Sequence, residues 1–144
     1  MTSRVSHTTF NSANAFRLCE WWKEVLGYRD LPDDPNQEGD EECMIVDPAS
    51  GHRLLFIEVD DLQRPEGRIH LDLAPVDRRR DDEVERVLRL GASHVADRRK
   101  PDGAGWVVLA DPDGNHFCIL RSDEERRDTP SSAPDTRPRD AAPT

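Results

Sequence analysis

Cysteine is scarce in this chain, which has three in 144 residues and no Cys-X-X-Cys pair. An odd number of cysteines at unrelated spacings excludes a disulfide framework and a zinc finger as the basis of the fold. The chain also has no apolar run near the roughly 20 residues of a membrane span, and its first ten residues contain no apolar signal-peptide core. These absences predict a cytoplasmic globular protein with reduced thiols.

Basic residues are outnumbered, because 20 Lys and Arg face 30 Asp and Glu for a formal net charge of −10. Nucleic acids and anionic membranes both bind basic surfaces, so the composition argues against either partner. From residue 123 onward the chain is rich in Pro, Ser, Ala and charge and has almost no apolar residues. That composition predicts a disordered tail over residues 123–144 and one folded domain over residues 3–122.

The order of the predicted elements repeats along the folded part. Residues 3–60 and residues 67–122 each read as a strand, a helix and three strands, and both helical segments, "AFRLCEWWKEVLG" and "RDDEVERVLRLG", end at a glycine. The turn "DPDG" before the last strand matches "DPASG" before an earlier one. The repeat predicts an α+β fold of two βαβββ modules, and the alternative is an ordinary α+β domain with chance similarity.

Strand alternation assigns the side chains of these predicted strands to two faces. In "GRIHLDLAP", Leu71 and Leu73 fall on one face and His70 and Asp72 on the other. Applied to the other strands, the alternation gives one apolar face for the helices and a second face with the polar residues His7, Thr9, Glu58, His70, Asp72, His116 and Cys118. Histidine and glutamate at matching strand positions are typical ligands of a divalent metal. The pattern therefore predicts a pocket, and the alternative is a sheet with one face in water.

Three segments of the chain resemble the vicinal oxygen chelate superfamily of glyoxalases, bleomycin-resistance proteins and extradiol dioxygenases. These segments are "HTTFNSANAFRLCEWWKEVLGY", "RIHLDLAPVD" and "GWVVLADPDGNHFCIL". Over residues 4–121 the chain is most similar to small bacterial glyoxalase-like domain proteins. The resemblance implies that the two modules form a cup-shaped mixed sheet with helices on its outer face, and that catalytic members hold a metal in the cup.

The resemblance also implies which positions hold the metal. Carried over residue by residue, His7, Glu58 and His70 fall on three ligand positions, and Cys118 falls on the fourth, where relatives have a glutamate. A thiolate can bind zinc or iron but is a softer ligand than a carboxylate. We interpret Cys118 as a packing residue, and the sequence leaves zinc, nickel, manganese and iron open as the divalent metal.

A metal in this pocket predicts an isomerase or lyase that acts on a small α-hydroxy or α-keto metabolite. Glu58 is the candidate proton shuttle, and Asp72 is the reserve. The alternative is a non-catalytic small-molecule or drug-binding protein of the bleomycin-resistance type, with aromatic surface in its pocket. A nucleophilic Cys118 assisted by His116 lacks a residue that would orient the histidine. The residues predicted to line the pocket are Thr9, Phe56, Trp106, His116 and Cys118.

The predicted partners are a small-molecule ligand and a second copy of the chain. Four-stranded modules leave exposed sheet edges, which pairing with another module would cover. The resemblance implies that modules are exchanged in a homodimer. In that arrangement His7 and Glu58 of one subunit would meet His70 and Cys118 of the other. The alternative is that the two modules of one chain pair directly, which would bring all four residues together within that chain.

Overall fold

The computed structural model describes residue 2, residues 4–60 and residues 69–128. The chain divides into two compact units, Met1–Gln63 and Arg64–Thr144. Each unit contains the order β-α-β-β-β with a four-stranded sheet, so the predicted α+β class and the two βαβββ modules are confirmed. Within the described residues, no helix combines the length and the apolar character that a membrane span requires.

The first unit forms one mixed sheet beside one helix. Its elements are β1 (Thr8–Ser12), α1 (Ala15–Leu26), β2 (Arg29–Asp30), β3 (Glu42–Val46) and β4 (Arg53–Glu58). Strand β1 pairs parallel to β4, and β3 pairs antiparallel to both β4 and β2. The resulting order is β1-β4-β3-β2.

Helix α1 begins and ends where the sequence predicts. The side chain of Asn14 accepts a hydrogen bond from the backbone N–H of Arg17 at 3.1 Å, which caps the first turn. Gly27 ends the helix in the left-handed conformation with φ 71°. One face of the helix is buried against the sheet, and its residues are Ala15, Leu18, Cys19, Trp22 and Val25.

The face of β4 that meets α1 differs from the predicted one, whereas that of β1 agrees with the prediction. Phe10 contacts both Trp22 and Phe56 edge to face, with ring centroids 5.9 Å and 5.3 Å apart. Phe56 is therefore fully buried on the helix side, and the prediction that it lines a pocket is wrong. Thr9 pairs with Leu55, so these two residues share the opposite face. The predicted register of the fourth strand was shifted by one residue.

The second unit repeats the topology of the first. Its elements are β5 (Leu71–Leu73), α2 (Arg80–Arg89), β6 (Ser93–Asp97), β7 (Trp106–Ala110), β8 (His116–Leu120) and α3 (Asp123–Asp128). Strand β5 pairs parallel to β8, and β7 pairs antiparallel to both β8 and β6. The order β5-β8-β7-β6 therefore corresponds strand by strand to that of the first sheet.

The two faces of β8 are assigned as the sequence predicts. Cys118 pairs with Asp72 and packs with Trp106 and Val108 in an apolar cluster that contains no residue of α2. The neighbouring residue Phe117 is fully buried on the other face, in register with Leu71 of β5. Helix α2 contacts β8. Because side chains alternate along a strand, Cys118 and Phe117 lie on opposite faces of the sheet.

Helix α3 lies in the segment that the sequence predicts as disordered, so that prediction is wrong for residues 123–128. Ser122 and Glu125 form a capping box, in which the Glu125 N–H donates to Ser122 Oγ at 3.1 Å and the Ser122 N–H donates to Glu125 Oε2 at 2.9 Å. Glu125 is buried although it is charged. The remaining tail, residues 129–144, lies outside the described residues.

Candidate metal centre

Three side chains in the second unit bring potential ligand atoms together. One ligand atom each from His70, Asp72 and Cys118 lies within 4.8 Å of the other two. The residues differ in exposure, since Cys118 is 1% exposed whereas the side chains of His70 and Asp72 are 18% and 44% exposed. The cluster therefore has a buried thiol at one side and a carboxylate that reaches solvent at the other.

Strand pairing places these side chains on one face of the second sheet. Asp72 is the central residue of β5 and lies opposite Cys118 of β8, with Val108 of β7 on the far side of Cys118. His70 precedes β5 and is two residues from Asp72, the spacing that returns a side chain to the same face of an extended chain. The sequence pattern His-X-Asp facing a cysteine in the neighbouring strand thus creates the cluster.

The ring of His70 approaches Asp72 closely. His70 Nε2 lies 3.1 Å from Asp72 Oδ1, an ion-pair distance. Nε2 is buried, and the contact with Asp72 lacks hydrogen-bond geometry among the described residues. A cation shared by the nitrogen and the carboxylate oxygen would give both atoms a favourable partner.

The cluster fits a divalent metal ion by donor type and by distance. Imidazole nitrogen, carboxylate oxygen and thiolate sulfur are the three donor types found in protein zinc sites. Donor atoms at the usual bond lengths of a tetrahedral zinc lie about 3.3–3.8 Å apart, so a set within 4.8 Å needs only small side-chain adjustments. Within the described residues, His70, Asp72 and Cys118 form the one group of at least three His, Cys, Asp or Glu side chains whose ligand atoms lie this close together.

Trp106 and His116 lie on the same face as the cluster. Trp106 is 6% exposed and packs with Cys118, and its indole Nε1 is buried without a hydrogen-bond partner in the described part of the chain. His116 is two residues from Cys118 along β8 and is partly buried. Trp106 thus contributes a buried apolar ring next to Cys118, and protein atoms cover its indole N–H.

The predicted site residues of the first unit have no ligand cluster of their own in the described residues. His7 lies before β1, and its Nδ1 is 3.0 Å from Ser6 Oγ. Thr9 is exposed on β1. Glu58 ends β4 as an exposed residue opposite Ser12, on the face of Phe56 and not of Thr9. The predicted face of Glu58 is therefore wrong, while its role as a ligand and that of His7 stay predictions.

The constant spacing between the two units shows which positions correspond. Thr9 pairs with Leu55 and Asp72 pairs with Cys118, and each residue of the second pair lies 63 positions after its counterpart in the first. Leu55 is thus the counterpart of Cys118 in the repeat, whereas the resemblance puts a metal ligand of the first unit at Glu58. The signal was present in the sequence, because His7 and His70 are also 63 positions apart.

Two consecutive βαβββ units with this topology define a vicinal oxygen chelate protein. The chain belongs to the glyoxalase-like domain family, whose family model matches residues 7–120. The resemblance seen in the sequence is thereby confirmed. A comparison with curated proteins found no match.

Solved structures with this fold include resistance proteins and domains named after glyoxalases. Fosfomycin resistance protein FosX from Mesorhizobium loti is 19% identical with a TM-score of 0.62, over 88% of this chain and 98% of that one. A FosX mutant from Listeria monocytogenes, complexed with Mn(II) and 1S,2S-dihydroxypropylphosphonic acid, is 20% identical with a TM-score of 0.65, over 88% and 96%. A glyoxylase/bleomycin resistance protein/dioxygenase domain from Frankia is 21% identical with a TM-score of 0.55, over 83% and 98%. At these identities the likeness shows the fold alone.

Proposed function

We propose that this protein is a metal-dependent isomerase or lyase that acts on a small α-hydroxy or α-keto metabolite. The observation that carries the proposal is the convergence of His70, Asp72 and Cys118 on one face of the second sheet. The proposal is also supported by the fold likeness to FosX from Listeria monocytogenes, a mutant of which was crystallised with Mn(II) and 1S,2S-dihydroxypropylphosphonic acid. The proposed substrate class is the one predicted from the sequence, since two neighbouring oxygens could fill the open positions of a bound cation.

The residues of the cluster divide the chemical work between them. His70 and Cys118 are the more buried members and would hold the cation, together with one oxygen of Asp72. When bound, a divalent cation supplies Lewis-acid stabilisation of negative charge that develops on a substrate oxygen. The Asp72 side chain is 44% exposed, so its second carboxylate oxygen can accept a proton from a substrate. The proton would come from the substrate carbon next to the oxygen that develops negative charge. Transfer of this proton is the step that isomerisation and elimination share.

A second candidate function is the binding of a small molecule without chemistry. The observation that favours it is Trp106, which offers a buried ring and an unused indole N–H beside Cys118. A ligand that displaced the side chains over this N–H would gain one hydrogen bond and an aromatic contact. A Frankia domain of the same fold is named after glyoxylase, bleomycin resistance protein and dioxygenase together.

Metal titration tests the proposed cluster directly. We expect protein purified without chelator to bind about one equivalent of zinc per chain, measured by calorimetry or by competition with a chelating dye. His70→Ala should weaken zinc binding at least about 100-fold, because loss of a residue that only hydrogen bonds to a metal ligand typically lowers metal affinity 10- to 100-fold. His94→Ala is the matched control, because His94 is an exposed histidine of β6 outside the cluster. Equal affinity of wild type and His70→Ala would contradict the proposal, and the same titration of His7→Ala tests the ligand predicted in the first unit.

Hydrogen exchange separates the enzyme from the binding protein. We expect the metal-loaded protein to exchange the α-hydrogen of at least one compound in a panel of α-hydroxy and α-keto acids for deuterium in D2O, followed by proton NMR. Asp72→Asn should abolish this exchange while the compound still binds. A compound that binds but never exchanges in the wild type would favour the binding function.

A further inference from the structure

We infer that Cys118 binds the metal through its sulfur and that this site selects zinc over manganese. The inference rests on the proposed metal site and specifies which cation it takes. It also revises the interpretation of Cys118 as a packing residue.

The position of Cys118 brings its sulfur to the other two donors. Cys118 is paired with Asp72 across β5 and β8, and the Sγ atom belongs to the set of ligand atoms that lie within 4.8 Å of one another. The other two donors, His70 Nε2 and Asp72 Oδ1, already approach each other to 3.1 Å. The sulfur therefore lies where a third ligand of a cation shared by these two atoms would be.

The donor set discriminates between cations. One sulfur, one nitrogen and one carboxylate oxygen suit zinc, which binds thiolate at about 2.3 Å in tetrahedral sites. Manganese prefers carboxylate, carbonyl and water oxygens and lies at the weak end of the affinity order for divalent metals. A glutamate at position 118, which the resemblance leads one to expect, would give an oxygen-richer set. Cysteine at this position therefore shifts the preference from manganese toward zinc.

The other two cysteines show what a purely structural cysteine looks like in this chain. Cys19 of α1 and Cys43 of β3 are fully buried, and neither belongs to a converging set of ligands within the described residues. The Cys43 thiol donates instead to the carbonyl oxygen of Asp40, with Sγ 4.0 Å from it. Burial raises the pKa of both thiols, which keeps them protonated at neutral pH. Cys43 is therefore a matched control for a substitution at Cys118.

The binding step involves no oxidation or reduction. The Cys118 thiol loses its proton to the buffer, and the thiolate lone pair forms the bond to the cation. One proton is therefore released for each thiol that becomes a ligand. No co-reactant other than the divalent cation is required.

Cobalt(II), which replaces zinc in such sites, reports sulfur ligation by absorption spectroscopy. We expect the Co(II)-loaded wild type to show the near-ultraviolet charge-transfer band of a cobalt–thiolate bond. Cys118→Ser and Cys118→Ala should lose this band, whereas Cys43→Ser should keep it. Circular dichroism of each variant verifies that it is folded. Two substitutions are made at position 118, so that an effect of serine on the strand can be told from the loss of the sulfur.

Metal competition tests the selectivity. Cys118→Ser should weaken zinc binding at least about 10-fold and change manganese binding by less than about threefold, because only the soft ligand is removed. Cys118→Glu should bring the two affinities closer together. A wild type that binds Co(II) in a His70-dependent manner but lacks the thiolate band would overturn the inference and leave the proposed function intact. A wild type that binds no divalent cation would overturn both.

Discussion

At position 55 the first unit has a leucine where the second unit has Cys118. Leucine has no ligand atom, so the first unit lacks a donor at the position in β4 that corresponds to Cys118 in β8. Thr9 likewise replaces Asp72 at the matching position of the first strand. Of the three cluster positions, the first unit retains only the histidine, His7. The two units have therefore diverged in chemistry while they keep the same strand register.

The same comparison yields a prediction for Glu58. The resemblance implies that Glu58 is a metal ligand, whereas its place on the helix-side face of β4, outside the repeated ligand positions, argues against that role. On the second ground we expect Glu58→Gln to change zinc affinity by less than about threefold. Asp72→Asn is the positive control and should weaken zinc binding at least about 10-fold. A loss in Glu58→Gln as large as that in His70→Ala would show that Glu58 is the ligand that the resemblance implies.

At the scale of elements, Glu125 joins helices α2 and α3. Arg79, the N-cap residue of α2, makes no side-chain capping bond, and the Glu125 carboxylate instead accepts the N–H of Arg80 at 2.8 Å. The same oxygen accepts the N–H of Ser122, which starts α3. Burial alone would raise the pKa of Glu125, but these hydrogen bonds outweigh burial and hold the pKa below its ordinary value of 4.5. One buried carboxylate thus caps two helices.

This arrangement predicts a pH-dependent contribution to stability. Glu125→Gln should lower the free energy of unfolding by about 1–2 kcal/mol at pH 7, because a charged acceptor of two buried N–H groups is replaced by a neutral one. A carboxyl whose pKa is lowered by folding stabilises the protein above its unfolded pKa, and this contribution is lost as the pH falls through the folded pKa. The difference between wild type and variant should therefore shrink below about pH 4.5.

Urea unfolding at several pH values measures this effect. Glu124→Gln is the matched control, since Glu124 is an exposed residue of the same helix. A difference that is constant from pH 7 to the acid range would mean that the charge of Glu125 does not contribute. The expected result instead ties the short helix α3 to the stability of the whole second unit.

At the scale of the whole molecule, each unit leaves two strands at the edges of its sheet. These are β1 and β2 in the first unit and β5 and β6 in the second, as far as the described residues show. Unpaired strand edges expose N–H and C=O groups that another strand can satisfy, and natural proteins cover such edges. The homodimer predicted from the sequence remains our proposal on these grounds.

Light scattering after size-exclusion chromatography tests the assembly. We expect a mass twice that of one chain at micromolar concentration, with or without zinc. Dilution into the nanomolar range is the control for weak self-association. A mass that corresponds to a single chain throughout the range would reject the homodimer, while the metal titrations above would be unaffected.

The sequence alone determined the elements of the two βαβββ units and their order. Helix α1 with its Asn14 cap and Gly27 stop, the strand β8 and the duplication of the βαβββ pattern follow from local signals, namely periodicity, capping and turn residues. Helix α3 could also have been predicted, because Ser122 and Glu125 have the spacing of a capping box. The polar composition of the tail instead led to a prediction of disorder.

Only the tertiary structure decided which residues meet. Alternation along a strand fixes which side chains share a face, but the register between strands decides which face that is, and a shift of one residue reverses the assignment. Such a shift put Phe56 in the predicted pocket. The strand pairing also makes Leu55, and not Glu58, the residue of the first unit that corresponds to Cys118. Cys118 beside Asp72 and Glu125 beside Arg80 are pairs distant in sequence, and their contacts arise from strand pairing and packing that no local pattern encodes.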